Sequence, residues 1–190
     1  LTVTGALSAK GGAVFNEDSA DVDFRVESNG DANMINVDGG NDVLGIKTAT
    51  PTNYYADDIV LTAPDEGGMT MVSGTSERAY LAFADGTSGD ARYRGYISYD
   101  HNTDQLILGA GGSGRLLIDG NGIITKAAQV SFSAKASGSQ TNIAVGSTVD
   151  VVLATEHFDR NADFASNVFT APLEGLYQLN GHFYLGGLDS

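Results

Sequence analysis

The chain contains no cysteine and no tryptophan, and only three of its 190 residues are proline. The absence of cysteine excludes a disulfide framework and any thiolate metal site. Glycine, by contrast, is abundant at 25 residues, which is typical of short strands joined by tight turns that need positive φ angles. Apolar residues still make up 42% of the chain, so packed cores are possible.

Basic residues are also scarce, with 10 lysines and arginines against 24 aspartates and glutamates. The resulting formal charge of −14 repels phosphate backbones and argues against nucleic-acid binding. No apolar run of about 18 residues occurs in the sequence, so we expect no membrane insertion. The chain begins at Leu1 in the middle of a strand-like pattern, which predicts a cut N-terminus.

The hydrophobic pattern alternates at a period of two along most of the chain, and helical periodicity is nearly absent. The sequence therefore predicts an all-β protein in three segments, 1–50, 51–126 and 127–190. Asn29–Gly30 predicts a two-residue hairpin turn, in which both central residues need positive φ. Gly175 to Leu185 has the pattern of an apolar strand, which needs neighbouring strands on both sides.

The first segment has little material for a hydrophobic core of its own. Its roughly one dozen large apolar side chains are too few to offset the conformational entropy that folding costs. Isolated hairpins are marginal in water, and oligomerisation is the natural remedy. We therefore expect a rotationally symmetric bundle of identical β-chains, each burying its apolar face against the others.

Two stretches, 13–46 and 68–125, carry the most distinctive strings of the chain. Their specific core is ARYRGYISYDHNTDQLIL at 91–108, followed by RLLIDGNG at 115–122. These strings resemble the distal region of bacteriophage tail fibres. The resemblance implies intertwined or side-by-side β-modules of a fibre shaft or knob in a homotrimer. One small departure is LGIKT at 44–48, where many family members have VGIGT.

The last segment has a second resemblance. Phe169, Gly175, Tyr177 and Leu179 follow the arrangement F-x5-G-x-Y-x-(F/L), which is similar to half the signature of a complement-type, TNF-like jelly-roll head. The resemblance implies that 127–190 is the first, incomplete half of such a head. It also implies that the sequence ends halfway through the jelly roll.

Together the resemblances imply a structural tail-fibre or tail-tip protein of the virion, extracellular and without enzymatic activity, that displays a receptor-binding head. The implied partners are other copies of the chain in a homotrimer, other tail or baseplate proteins, and a host surface receptor or polysaccharide. A secreted bacterial or environmental β-rich adhesin or filament subunit is the alternative. A polysaccharide-cleaving enzyme is disfavoured, because the long, regular β-helix period of such fibres is absent from the sequence.

Two groups of residues are candidate binding sites. Arg92, Arg94 and Tyr96 combine guanidinium and aromatic faces that suit a sugar or peptide contact, although an ordinary two-faced strand has the same alternation. The oxygen-rich string DRNAD offers Asp159, Asn161 and Asp163 as ligands for calcium, and no other cofactor is expected. Turn formation by aspartate and asparagine is the alternative explanation of that string.

Overall fold

The structure is a computed structural model. It describes residues 4–6, 13–15, 21–126, 128–144 and 146–187. The described residues form thirteen β-strands and two 3₁₀ helices of at most five residues, so the predicted all-β class is confirmed. No helix in this part of the chain has the length and apolarity to cross a bilayer. The chain divides into two compact units, Leu1–Met71 and Val72–Ser190.

The first unit contains one four-stranded sheet, the first sheet. Its strands are β1 (Phe24–Val26), β2 (Ile35–Asp38), β3 (Val43–Ile46) and β4 (Ile59–Leu61), in that spatial order. The first three are antiparallel, whereas β4 runs parallel to β3 after the 3₁₀ helix η1 (Pro51–Asn53). Because β4 lies beyond residue 50, the first sheet extends across the boundary predicted between 1–50 and 51–126.

The hairpin of β1 and β2 corrects one detail of the sequence-based prediction. The strands do pair, but the loop runs from residue 27 to residue 34, and neither Asn29 nor Gly30 has a positive φ. The two-residue turn predicted there is wrong. Hydrogen bonds shape the longer loop instead, because Ser28 N donates to Asp31 O at 2.8 Å and Asn33 N donates to Asp31 Oδ1 at 2.7 Å.

The second unit contains a five-stranded antiparallel meander, the second sheet. Its strands are β5 (Arg78–Phe83), β6 (Gly95–Asp100), β7 (Gln105–Ala110), β8 (Ser113–Ile118) and β9 (Ile124–Thr125). The 3₁₀ helix η2 (Gly89–Tyr93) leads from β5 to β6. Gly111 and Gly112 form the tip between β7 and β8, and their φ angles of 62° and 74° are the reason that glycine stands at both positions.

Two short hairpins follow the meander. In the first, β10 (Phe132–Lys135) pairs with β11 (Thr155–Asp159). In the second, β12 (Phe164–Ala165) pairs with β13 (Val168–Phe169). The ring of Phe132 stacks on Phe164 and Phe169, with centroids 4.6 Å and 5.1 Å apart, which joins the two hairpins. The jelly-roll head of 127–190 stays a prediction.

The strand predicted from Gly175 to Leu185 is wrong, because residues 170–187 contain no strand. A strand exists only where a neighbour accepts and donates its backbone hydrogen bonds, and this stretch pairs with none of the described strands. Tyr177 holds the beginning of this stretch in place. The Tyr177 hydroxyl donates to Leu173 O at 2.7 Å, and the Tyr177 ring lies edge-on to Phe169.

Candidate functional site

The second sheet has one face built of apolar side chains. Alternate residues of a strand point to opposite faces and cross-strand partners share a face, so the register assigns every residue to a side. We call this side the second apolar face. It consists of Ala79, Leu81, Phe83, Gly95, Ile97, Tyr99, Leu106, Leu108, Ala110, Leu116, Ile118 and Ile124, together with one polar residue, Ser113, the register partner of Ala110.

The second apolar face is open to solvent even on the central strands, where Ile97 of β6 is 42% exposed and Leu108 of β7 is 40% exposed. Phe83 on the edge strand β5 is 59% exposed. The central strands of a sheet normally carry its most buried side chains, because layers pack over them. A contiguous apolar face of this extent marks an interaction surface.

The opposite face of the same sheet is closed over the central strands β6 and β7, whereas Tyr80 on the edge strand β5 is 43% exposed. Tyr96, Ser98 and Ile107 are only 8%, 2% and 4% exposed. The rings of Tyr80 and Tyr93 lie edge-on to the Tyr96 ring, with centroids 5.7 Å and 6.4 Å away. The two faces of the sheet therefore differ sharply in burial, although both contain large side chains.

An ion pair lies on the closed face. Arg78 Nε donates to Asp100 Oδ2 at 2.7 Å, and the Asp100 side chain is only 8% exposed. The hydrogen bond from Arg78 lowers the pKa of Asp100 below the usual aspartate value, and the backbone N–H groups of Asn102 and Thr103 lower it further. The charge of Asp100 is thus held away from the second apolar face.

The first sheet has the same two-faced construction. Its apolar side, the first apolar face, consists of Phe24, Val26, Ile35, Val37, Leu44, Ile46, Ile59 and Leu61. None of these eight residues is buried, whereas Asn36, Val43 and Val60 on the other side are buried near Pro51. Phe15 partly covers the apolar side, with its ring 5.1 Å from the Phe24 ring, and is itself exposed.

The candidate contact residues Arg92, Arg94 and Tyr96 do not form one surface. Arg92 and Arg94 are exposed at the end of η2, where Arg92 Nε donates to Gly89 O at 3.4 Å. Tyr96 lies on the closed face of the second sheet, so its assignment to an exposed contact surface is wrong. The residues do alternate between the two sides of a strand, but Tyr96 lies on the buried side.

The candidate calcium residues form a turn between β11 and β12. Asp159 Oδ1 accepts from Asp163 N at 3.2 Å and Asp159 Oδ2 accepts from Phe164 N at 2.9 Å. The bond from Phe164 is the main reason that the pKa of Asp159 is lowered. Asp163 Oδ2 is buried without a hydrogen-bond partner, and Asn161 is exposed. Across the described residues no group of three His, Asp or Glu side chains could hold a metal ion.

Sequence reasoning missed the two apolar faces as specific surfaces. The signal was present in the alternation of RAYLAF at 78–83 and QLILGA at 105–110. Both sides of these strands carry large side chains such as Tyr80 and Ile107, however, so alternation alone could not tell the open side from the closed one.

Comparisons with protein-family models, with curated proteins and with solved structures found no match. The chemistry of the described residues therefore carries the functional argument. Two compact units each expose an apolar sheet face. This arrangement suits assembly.

Proposed function

We propose that this chain is a structural subunit of a bacteriophage tail fibre, assembled as a homotrimer. The observation that carries the proposal is the open apolar face on the sheet of each compact unit. Burying such faces against identical copies supplies the core that a single chain lacks. The resemblance of 13–46 and 68–125 to the distal region of tail fibres supports the same role.

In this proposal the fibre lies outside the cell as part of the virion and attaches it to the host without covalent chemistry. Its partners are other tail or baseplate proteins and a host surface receptor or polysaccharide. Three identical copies give three equivalent contact sites, so that weak individual contacts add by avidity. Arg92 and Arg94 are the exposed cations of the tail-fibre-like core that remain candidates for this contact.

Sedimentation velocity and native mass spectrometry test the assembly. We expect a species of about 59 kDa, three times the chain mass of 19.7 kDa, which dissociates only on strong dilution. A compact monomer that unfolds cooperatively at all concentrations would overturn the proposal, because such a monomer needs no partner to complete its core.

Binding to purified host-surface polysaccharides tests the attachment. The double variant Arg92→Ala/Arg94→Ala should weaken binding about tenfold, as expected for the loss of two weak charged contacts, whereas Lys126→Ala removes an exposed cation elsewhere and should leave binding unchanged. Equal binding by all variants would exclude the two arginines. New reducing ends after incubation would contradict an attachment role without chemistry.

Antibody labelling distinguishes the fibre from the adhesin alternative, which fits the same assembly. Antibodies against this chain should label the tails of phage particles in electron micrographs, and genes for tail and baseplate proteins should lie beside its gene. Labelling of bacterial surfaces or secreted filaments in the absence of phage would favour the adhesin instead.

A further inference from the structure

We propose that copies of this chain meet through the second apolar face, each face packed on the same face of its neighbours around a symmetry axis. The inference rests on the proposed homotrimer and names the surface that forms it. The opposite side of the second sheet, with Tyr96 and the Arg78–Asp100 ion pair, is then turned away from the axis.

The second apolar face offers a partner few polar groups to bind. Only Tyr99 and Ser113 among its side chains carry a hydrogen-bonding group, and the Tyr99 hydroxyl already donates to Asp104. An occupant with polar groups would lose their hydration without gaining hydrogen bonds in return. The chemistry of the face therefore requires an apolar occupant.

A second copy meets this requirement because the face is complementary to itself. Cross-strand partners form continuous apolar rows across the sheet, one of which is Leu81, Ile97, Leu108 and Leu116. A closed ring of copies places equivalent rows against one another without matched donors or acceptors, as a rotational axis demands.

A further observation favours identical copies over a different protein. The first sheet also has an apolar face, with the cross-strand row Phe24, Val37, Leu44 and Ile59. One kind of neighbour, another copy of the chain, can thus cover the open faces of both units.

Single-cysteine variants test the face directly, because the chain has no cysteine of its own. Leu108→Cys places a thiol at the centre of the second apolar face. Thr125→Cys places one on the opposite side, since Thr125 is exposed and pairs with Leu117. In the assembled protein we expect the Leu108→Cys thiol to react with a thiol reagent about 100-fold more slowly than the Thr125→Cys thiol. Dilution should remove this protection over the concentration range in which sedimentation shows dissociation.

Two variants that each add one negative charge provide the second measurement. Leu108→Glu buries an uncompensated charge in the proposed interface and should raise the dissociation constant at least about 100-fold. Thr125→Glu adds the same charge on the other side and should change it less than about threefold. Circular dichroism at matched concentration checks that both variants retain their strands.

The outcomes separate this inference from the function on which it rests. An oligomer in which the Leu108→Cys thiol reacts as fast as the Thr125→Cys thiol would overturn the second apolar face as the interface and leave the assembly standing. A chain that stays monomeric at every concentration would overturn both.

Discussion

At the scale of single residues, the aspartates act mainly as turn formers. Asp38 Oδ1 accepts from the backbone N–H groups of Gly40 and Asn41, and Asp119 Oδ1 accepts from those of Asn121 and Ile123. The hydrogen bond from the side-chain amide of Asn41 is the main reason that the pKa of Asp38 is lowered below its usual value. An acidic cluster in this sequence is therefore first explained by the geometry of its turn.

Asp100 should make folding sensitive to acid. Its pKa is lower in the folded chain than in the unfolded chain, so its stabilising contribution is complete above the unfolded value of about 3.9 and disappears as pH falls through the folded value. Thermal melts followed by circular dichroism should show Asp100→Asn melting below the unchanged protein at pH 7, with the difference shrinking below about pH 4.

The control for this acid effect is Asp65→Asn, which removes the same charge from an exposed position. Its melting temperature should stay close to that of the unchanged protein at both pH values. A difference between Asp100→Asn and the unchanged protein that does not vary with pH would show that the Arg78–Asp100 pair has no electrostatic role.

At the scale of elements, alternation predicts a strand better than it predicts which side of the strand is buried. The alternation in RYRGYISY is that of an ordinary two-faced strand, and β6 runs from Gly95 to Asp100. It does not reveal that Tyr96 and Ser98 face the closed side while Ile97 and Tyr99 face solvent. That choice depends on what the neighbouring elements cover, here η2 and the side chains of β5.

Gly109 is the position in β7 where the adjacent strand β6 leaves no space for a side chain. A Cβ atom there would overlap the ring of Tyr96, its register partner. Gly109→Ala should therefore lower the free energy of unfolding by about 1–3 kcal/mol, the usual effect of overpacking. Urea titration at fixed protein concentration measures the change.

Gly138→Ala is the control in the same unit. No atom lies within 4 Å of the Cβ position there and its φ is not left-handed, so this variant should be neutral or gain about 0.4–1 kcal/mol from reduced unfolded-state freedom. Equal losses in the two variants would mean that the Tyr96 ring does not constrain β7.

At the scale of the whole molecule, electrostatic repulsion opposes the assembly that the apolar faces favour. Three chains of charge −14 carry a formal charge of −42 (3 × −14). Salt screens this repulsion, because the Debye length falls from about 30 Å at 0.01 M to about 3 Å at 1 M. Sodium chloride should therefore lower the dissociation constant, as measured by sedimentation equilibrium between these limits.

The response to salt distinguishes an apolar interface from one held together by ion pairs. If copies were held together mainly by ion pairs between chains, salt would weaken the assembly instead. Dissociation on adding salt would therefore contradict an interface formed by the second apolar face, which carries no charged side chain.

The sequence by itself determined the all-β class and the alternation of large side chains along β6 and β7. Both depend only on composition and on neighbours along the chain. The tertiary structure alone decided which side of each sheet is open, the burial of Tyr96, and the absence of a strand in 175–185. Each of these depends on contacts between residues distant in sequence, because a strand forms only with a hydrogen-bonding neighbour and a face is buried only under another layer.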